Sequence, residues 1–129
     1  MIAKEIMTRD IISVEPAMPV KKLAMMLIKN QISGAPVIGK NGKILGVVSE
    51  ADILAKKGKD VKTIMSKKVI SVSEDTPIEE IAQLMCKHRI QRLPVINQEQ
   101  IVGIVSRADI VNAIAMGKHV TIPSPVYDL

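Results

Sequence analysis

Two short motifs combine groups that could do chemistry, Ser49-x-x-Asp52 and Ser106-x-x-Asp109. Each places a carboxylate three residues after a hydroxyl, where a helix is expected to begin. The plainest role is a capping box that satisfies orphan N–H groups at the helix end. Such a box favours Glu or Gln at its third position, and the shorter Asp is expected to reach back poorly. A helix start also offers free N–H groups and a partial positive charge, a seat for phosphate. Arg92 adds a planar guanidinium fork suited to phosphate oxygens, with His88 and Arg89 nearby. Glu79-Glu80 reads as a charged helix face. The chain has no HExxH, GxSxG or GxGxxG, and no Cys/His cluster at metal spacing. Gly39-Lys40-Asn41-Gly42 lacks the spacing of a phosphate loop and falls between strands. With no nucleophile–base pair or metal set, a non-enzyme without catalytic residues, metal or cofactor is expected.

The elements that must position these motifs occur twice. Residues 6–38 lie over 64–96, matching Ile6-Met7-Thr8 to Ile64-Met65-Ser66, Ile12-Ser13-Val14 to Ile70-Ser71-Val72, and Pro19 to Pro77. Pro36-Val37-Ile38 falls on Pro94-Val95-Ile96. After a one-residue deletion, Gly46-Val47-Val48-Ser49 falls on Gly103-Ile104-Val105-Ser106, and Asp52-Ile53 on Asp109-Ile110. A duplication accounts for matches this dense and in one order.

Each copy predicts the order βαββα. A short β segment at 12–14 or 70–72 precedes a helix led by Pro19 or Pro77, where the missing N–H costs nothing. Val20, Leu23, Ala24, Leu27 and Ile28 form an apolar stripe, repeated by Ile78, Ile81, Ala82, Met85 and Cys86. Met26 and Leu84 lie outside that stripe, with Met25 beside the first, and point to a partner surface. A hairpin follows, its first turn marked by Asn41-Gly42, whose residues accept positive φ. A shorter helix then begins at Glu50 or Arg107, carrying Ile53 and Leu54, or Ile110, Val111 and Ile114. The organisation is residues 1–58 as first repeat, 59–116 as second, and 117–129 as an extended tail with two prolines.

Composition narrows the function classes. Of 129 residues 47% are hydrophobic and 24% charged, the balance of a folded domain. There is no Phe or Trp and one aromatic, Tyr127, which removes the stacking platforms of single-strand nucleic-acid binders. Net charge is +5, gathered at Lys56, Lys57, Lys59, Lys62, Lys67 and Lys68, where a solvated, flexible linker is expected. A polyanion site is the alternative use of those lysines. No apolar run approaches the roughly 18 residues of a membrane span. The start MIAKEIM lacks a signal-peptide core, and Cys86 is the only cysteine. A cytoplasmic protein that does not enter membranes is expected.

The ordered pattern of Ile-Met-Ser/Thr, short β, Pro-led helix, Pro-Val-Ile and Gly-h-h-Ser-x-x-Asp-Ile (h apolar) resembles the CBS domain, named for cystathionine β-synthase. The resemblance covers residues 1 to about 116 and both copies. It implies an α/β (α+β) fold of two βαββα repeats packed as a pseudo-two-fold pair, with two clefts between the copies. It also implies AMP, ADP, ATP, S-adenosylmethionine or related adenosyl ligands there, acting as regulatory ligands, and a flat disc-like homodimer.

By the same resemblance, Asp52 and Asp109 accept the ribose hydroxyls, and Ser49 and Ser106 meet phosphate or ribose. The residues before each Pro-Val-Ile strand form the base pocket: Ser33, Gly34, Ala35 and Pro36 in one copy, Gln91, Arg92, Leu93 and Pro94 in the other. Ile12-Ser13 and Ile70-Ser71 form the other wall. Neutral Ser33-Gly34 stands where the second copy has Gln91-Arg92, so unlike ligands or unlike affinities are expected. The function so implied is a sensor that passes a conformational change to an unidentified regulated protein. The alternative is a nucleic-acid-binding or scaffold protein using the basic linker.

Overall fold

A computed structural model describes residues 1–117, so the expected C-terminal tail lies outside the described residues. The fold is α+β. In chain order the elements are α1 (Ala3–Ile6), α2 (Val20–Asn30), β1 (Gly34–Ile38), β2 (Ile44–Ser49), α3 (Glu50–Ala55), α4 (Val61–Ile64), α5 (Ile78–His88), β3 (Arg92–Asn97), β4 (Gln100–Ser106) and α6 (Arg107–Ala115). The strands form two separate antiparallel hairpins, β1–β2 and β3–β4. The expected first β segments shrink to single parallel bridges, Val14 beside Val37 and Val72 beside Val95.

Prolines 19 and 77 cap α2 and α5 from outside, and both helices stop at a residue in left-handed conformation, Gln31 and Arg89. There the chain turns back, with the Ile32 N–H donating to Leu27 O and the Ile90 N–H to Met85 O. The apolar stripe of α5 is buried at Ile78, Ile81, Ala82 and Met85, whereas that of α2 is buried at Leu23 and Leu27 and half-buried at Val20 and Ala24. The last member of each stripe is not buried. Ile28 is 78% exposed and Cys86 is half-buried, because each helix ends before its final turn is covered. Met26 and Leu84, expected on a partner surface, are half-buried and pack partly against their own cores. On the shorter helices Ile110 is buried, whereas Leu54, Val111 and Ile114 face outward.

The packed units do not follow the sequence repeats. Residues 12–69 form one compact unit, and residues 1–11 pack with residues 70–117 to form the other. In the second unit the Ala3 N–H donates to Thr76 O, the Ile78 N–H to Met1 O, and Thr8 and Ile104 exchange both backbone bonds. In the first, Val61 donates to Met18 O, Lys62 to Pro16 O, and Val47 and Ser66 exchange theirs. Val61 and Ile64 are fully buried there. The stretch from 59 to 69 is therefore an integral part of a core, although its lysines point outward as expected. A flexible linker would leave these backbone groups to water.

Two glycines make room for the incoming segments. A Cβ on Gly46 would stand 2.5 Å from Ser66 O, and one on Gly103 2.5 Å from the Met7 sulfur. They occupy equivalent positions in β2 and β4.

The hairpin turns differ in the two halves. In the first, Gly39 and Lys43 bracket the loop, and Gly42 alone takes positive φ. In the second, Asn97 pairs with Gln100 across a two-residue loop, and both Gln98 and Glu99 adopt positive φ. The deletion thus shortens the loop to the primed-turn geometry without supplying the Asn or Gly such a turn prefers.

Candidate functional site

Each half gathers its motif residues at one end of a hairpin. In the first, Gly34 and Ser49 are register partners, and the Glu50 N–H donates to Ser33 O at 2.8 Å. In the second, Arg92 and Ser106 are register partners, and the Arg107 N–H donates to Gln91 O at 2.9 Å. The remaining wall is attached through backbone: the Val14 N–H donates to Pro36 O at 3.0 Å and the Val72 N–H to Pro94 O at 3.1 Å. Ile12-Ser13 and Ile70-Ser71 are thereby held beside their strands.

The two Ser-x-x-Asp motifs are built alike at the backbone. Ser106 donates its N–H to Asp109 Oδ2 at 2.8 Å, and its hydroxyl accepts the Asp109 N–H at 3.2 Å. Ser49 donates its N–H to Asp52 Oδ2 at 2.9 Å. The expectation that Asp reaches back poorly is corrected. Both serines have the extended backbone usual at a helix N-cap, φ −139° at Ser49 and −109° at Ser106, and the shorter carboxylate reaches the cap N–H from there. Capping therefore consumes one oxygen of each Asp and leaves Oδ1.

The surroundings of Oδ1 separate the halves. Asp52 Oδ1 holds the Lys56 ammonium at 2.9 Å, and that ammonium also donates to Ile64 O at 3.1 Å. Among the described residues, Asp109 Oδ1 receives the Thr8 hydroxyl, at 3.5 Å. The hydroxyls differ too, since Ser49 Oγ turns to its own Asp52 Oδ2 at 3.4 Å. Both carboxylates are half-buried. Thr8 is a neighbour the site reading missed; its signal was the Ile-Met-Thr and Ile-Met-Ser match. Lys56 was visible only as one lysine of a cluster.

Access distinguishes the other positions. Ser13, Ser71 and Gln91 are exposed, and Ile12, Gly34, Ile70 and Arg92 are half-buried. Ala35, Pro36, Leu93 and Pro94 are buried, with Ala35 and Leu93 inside the two cores. The prolines lack an N–H, and their carbonyls already accept from Val14 and Val72. His88 ends α5 half-buried, and Arg89 follows it exposed. Among the described residues, no group of three His, Cys, Asp or Glu could hold a metal ion. No helix among them is long and apolar enough to cross a membrane.

A duplicated α+β unit with a Ser-x-x-Asp cap in each copy defines a tandem module. The CBS domain family model matches residues 3–58 and 61–116, and the chain belongs to the CBS domain family. It is similar to the CBS domain pair of protein MJ0100 in complex with 5-methylthioadenosine and S-adenosyl-L-methionine, at 30% identity and TM-score 0.83, covering 92% of this chain and 98% of that one. It is similar to CBSX2 from Arabidopsis thaliana in complex with AMP, at 28% identity and TM-score 0.86, again covering 92% and 98%. A curated relative, inosine-5'-monophosphate dehydrogenase of Methanocaldococcus jannaschii, is 34% identical over 111 residues. The match covers 84% of this chain but only 22% of that enzyme's length.

Proposed function

We propose that this chain is a non-catalytic regulatory module that binds an adenosine-containing ligand, with Asp109 and Asp52 as ribose acceptors. The observation that carries this reading is the Asp109 carboxylate. Its cap uses Oδ2, while Oδ1 accepts one long hydrogen bond from the Thr8 hydroxyl, at 3.5 Å, that a ligand hydroxyl can replace. A ribose hydroxyl at ordinary hydrogen-bond length would bind the carboxylate more strongly than the 3.5 Å contact it displaces. The similar pairs bound to 5-methylthioadenosine with S-adenosylmethionine, and to AMP, support the ligand class. Ser106 and Arg92, placed on adjoining strands, would meet a phosphate or other substituent of the ribose.

The module acts in the cytoplasm as a homodimer and transmits ligand binding to a regulated protein. Met25 and Ile28, exposed together on α2, support self-association. Ligand shifts the arrangement only by its differential affinity for two states.

A thermal-shift screen with AMP, ATP, S-adenosylmethionine and 5'-methylthioadenosine tests the reading. A binder at a hundredfold excess over its Kd stabilises by about 2.7 kcal/mol. No shift with any of the four would overturn the ligand claim. Sedimentation velocity that finds only monomer would overturn the dimer.

A further inference from the structure

We infer that Lys56 is a built-in competitor for the Asp52 carboxylate, so that the ligand binds preferentially at Asp109. The inference rests on the reading of both aspartates as ribose acceptors and concerns what makes them unequal.

With Oδ2 engaged by the cap in both halves, Oδ1 is the oxygen whose other neighbours distinguish the two sites for a ribose diol. At Asp109 that oxygen is held by a hydroxyl at 3.5 Å, a bond at the limit of useful length. At Asp52 it is held by an ammonium at 2.9 Å. The same ammonium donates to Ile64 O at 3.1 Å, so two acceptors on different elements fix it. A ligand entering here must displace a cation and leave it with one partner.

The residue four positions after Asp109 is Ala113, which is 6% exposed and belongs to the packed side of α6. The second half therefore has no counterpart to Lys56 at this position. The serines reinforce the difference. Ser49 directs its hydroxyl toward Asp52, whereas Ser106 accepts from the Asp109 N–H and keeps its own proton to donate. One half is arranged to satisfy itself and the other to receive a polar ligand.

The Lys56 side chain is 44% exposed, so solvent screens the pair and its effect is moderate. Replacing the lysine should tighten the weaker site by roughly two- to tenfold.

Calorimetry with AMP on the full chain tests this, using wild type, Lys56→Met, Asp52→Asn and Asp109→Asn, each checked for folding by thermal melt. The expected result is one stronger site that Asp109→Asn weakens by about 10- to 100-fold and Asp52→Asn leaves unchanged. Lys56→Met should strengthen or reveal a second site, which Lys56→Met with Asp52→Asn removes again. The inference is overturned if the stronger site follows Asp52, if Lys56→Met changes nothing, or if it weakens binding, as it would were the lysine a phosphate ligand. If AMP and 5'-methylthioadenosine bind neither folded wild type nor folded Lys56→Met, the adenosine reading itself fails.

Discussion

The Thr8 hydroxyl reaches Asp109 Oδ1 across 101 positions of sequence, at 3.5 Å. It can do so because residues 1–11 belong to the same compact unit as the second repeat's hairpin. The first residues of the chain thus border a site whose motif lies near its other end.

That border should be anchored by Met7 more than by Thr8. Met7 is 8% exposed and its sulfur lies over Gly103, whereas the Thr8 bond is long and exposed. Met7→Ala should cost about 2–3 kcal/mol by leaving a cavity. Thr8→Val should cost under about 0.5 kcal/mol. Urea unfolding of the two variants measures the contrast.

Gly46→Ala should be worse tolerated than Gly103→Ala. The first methyl meets a backbone carbonyl at 2.5 Å, while the second meets a flexible methionine side chain that can swing aside. We expect about 3 kcal/mol for Gly46→Ala and about 1 kcal/mol for Gly103→Ala. Equal midpoints in urea would show that the backbone at Ser66 yields as easily as Met7 does.

Capping and ligand binding by Asp109 separate by choice of substitution. Asp109→Ala loses the acceptor for the Ser106 N–H and should lower stability by about 1 kcal/mol. Asp109→Asn keeps an acceptor oxygen and should stay near wild type without ligand. Both should weaken AMP binding by about 10- to 100-fold, since a charge-assisted bond to ribose is lost. Unaltered affinity in Asp109→Asn would confine this residue to its cap.

Gln98 and Glu99 hold positive φ without the side chains that favour it. Gln98→Asn should raise stability by about 0.5 kcal/mol, because Asn tolerates the left-handed region. A lowered melting temperature would mean that Gln98 makes up for its conformation in another way.

The duplication and the helix–hairpin–helix order were legible because they rest on local chemistry. Prolines 19 and 77 mark helix starts, and the stripe from Leu23 to Leu27 has a period that only a helix uses. The turn at Gly42 follows from the residue that must adopt it. The pairing of Ile6-Met7-Thr8 with the later hairpin was not legible. Its counterpart Ile64-Met65-Ser66 is chemically alike, and either segment would suit either glycine. Periodicity likewise gives a face but not its covered length, so Ile28 and Leu54 read as core and lie exposed. The reach of Asp52 and Asp109 was not legible, because whether a carboxylate one methylene shorter spans the cap depends on atomic distances that residue type does not set. The Lys56–Asp52 contact had the i,i+4 spacing of a helical ion pair, but a run of lysines hid it.

The exchange of first segments also sets an order of events on the ribosome. Residues 1–11 emerge before the rest of their unit, since Ile104, the backbone partner of Thr8, follows nearly a hundred residues later. At about 5–20 residues per second, the opening segment waits roughly 5–20 s for its seat. The unit of residues 12–69 is continuous and can close meanwhile. The chain's beginning is therefore among the last parts to be folded, and Ala3 and Met7 spend that interval as apolar residues in water.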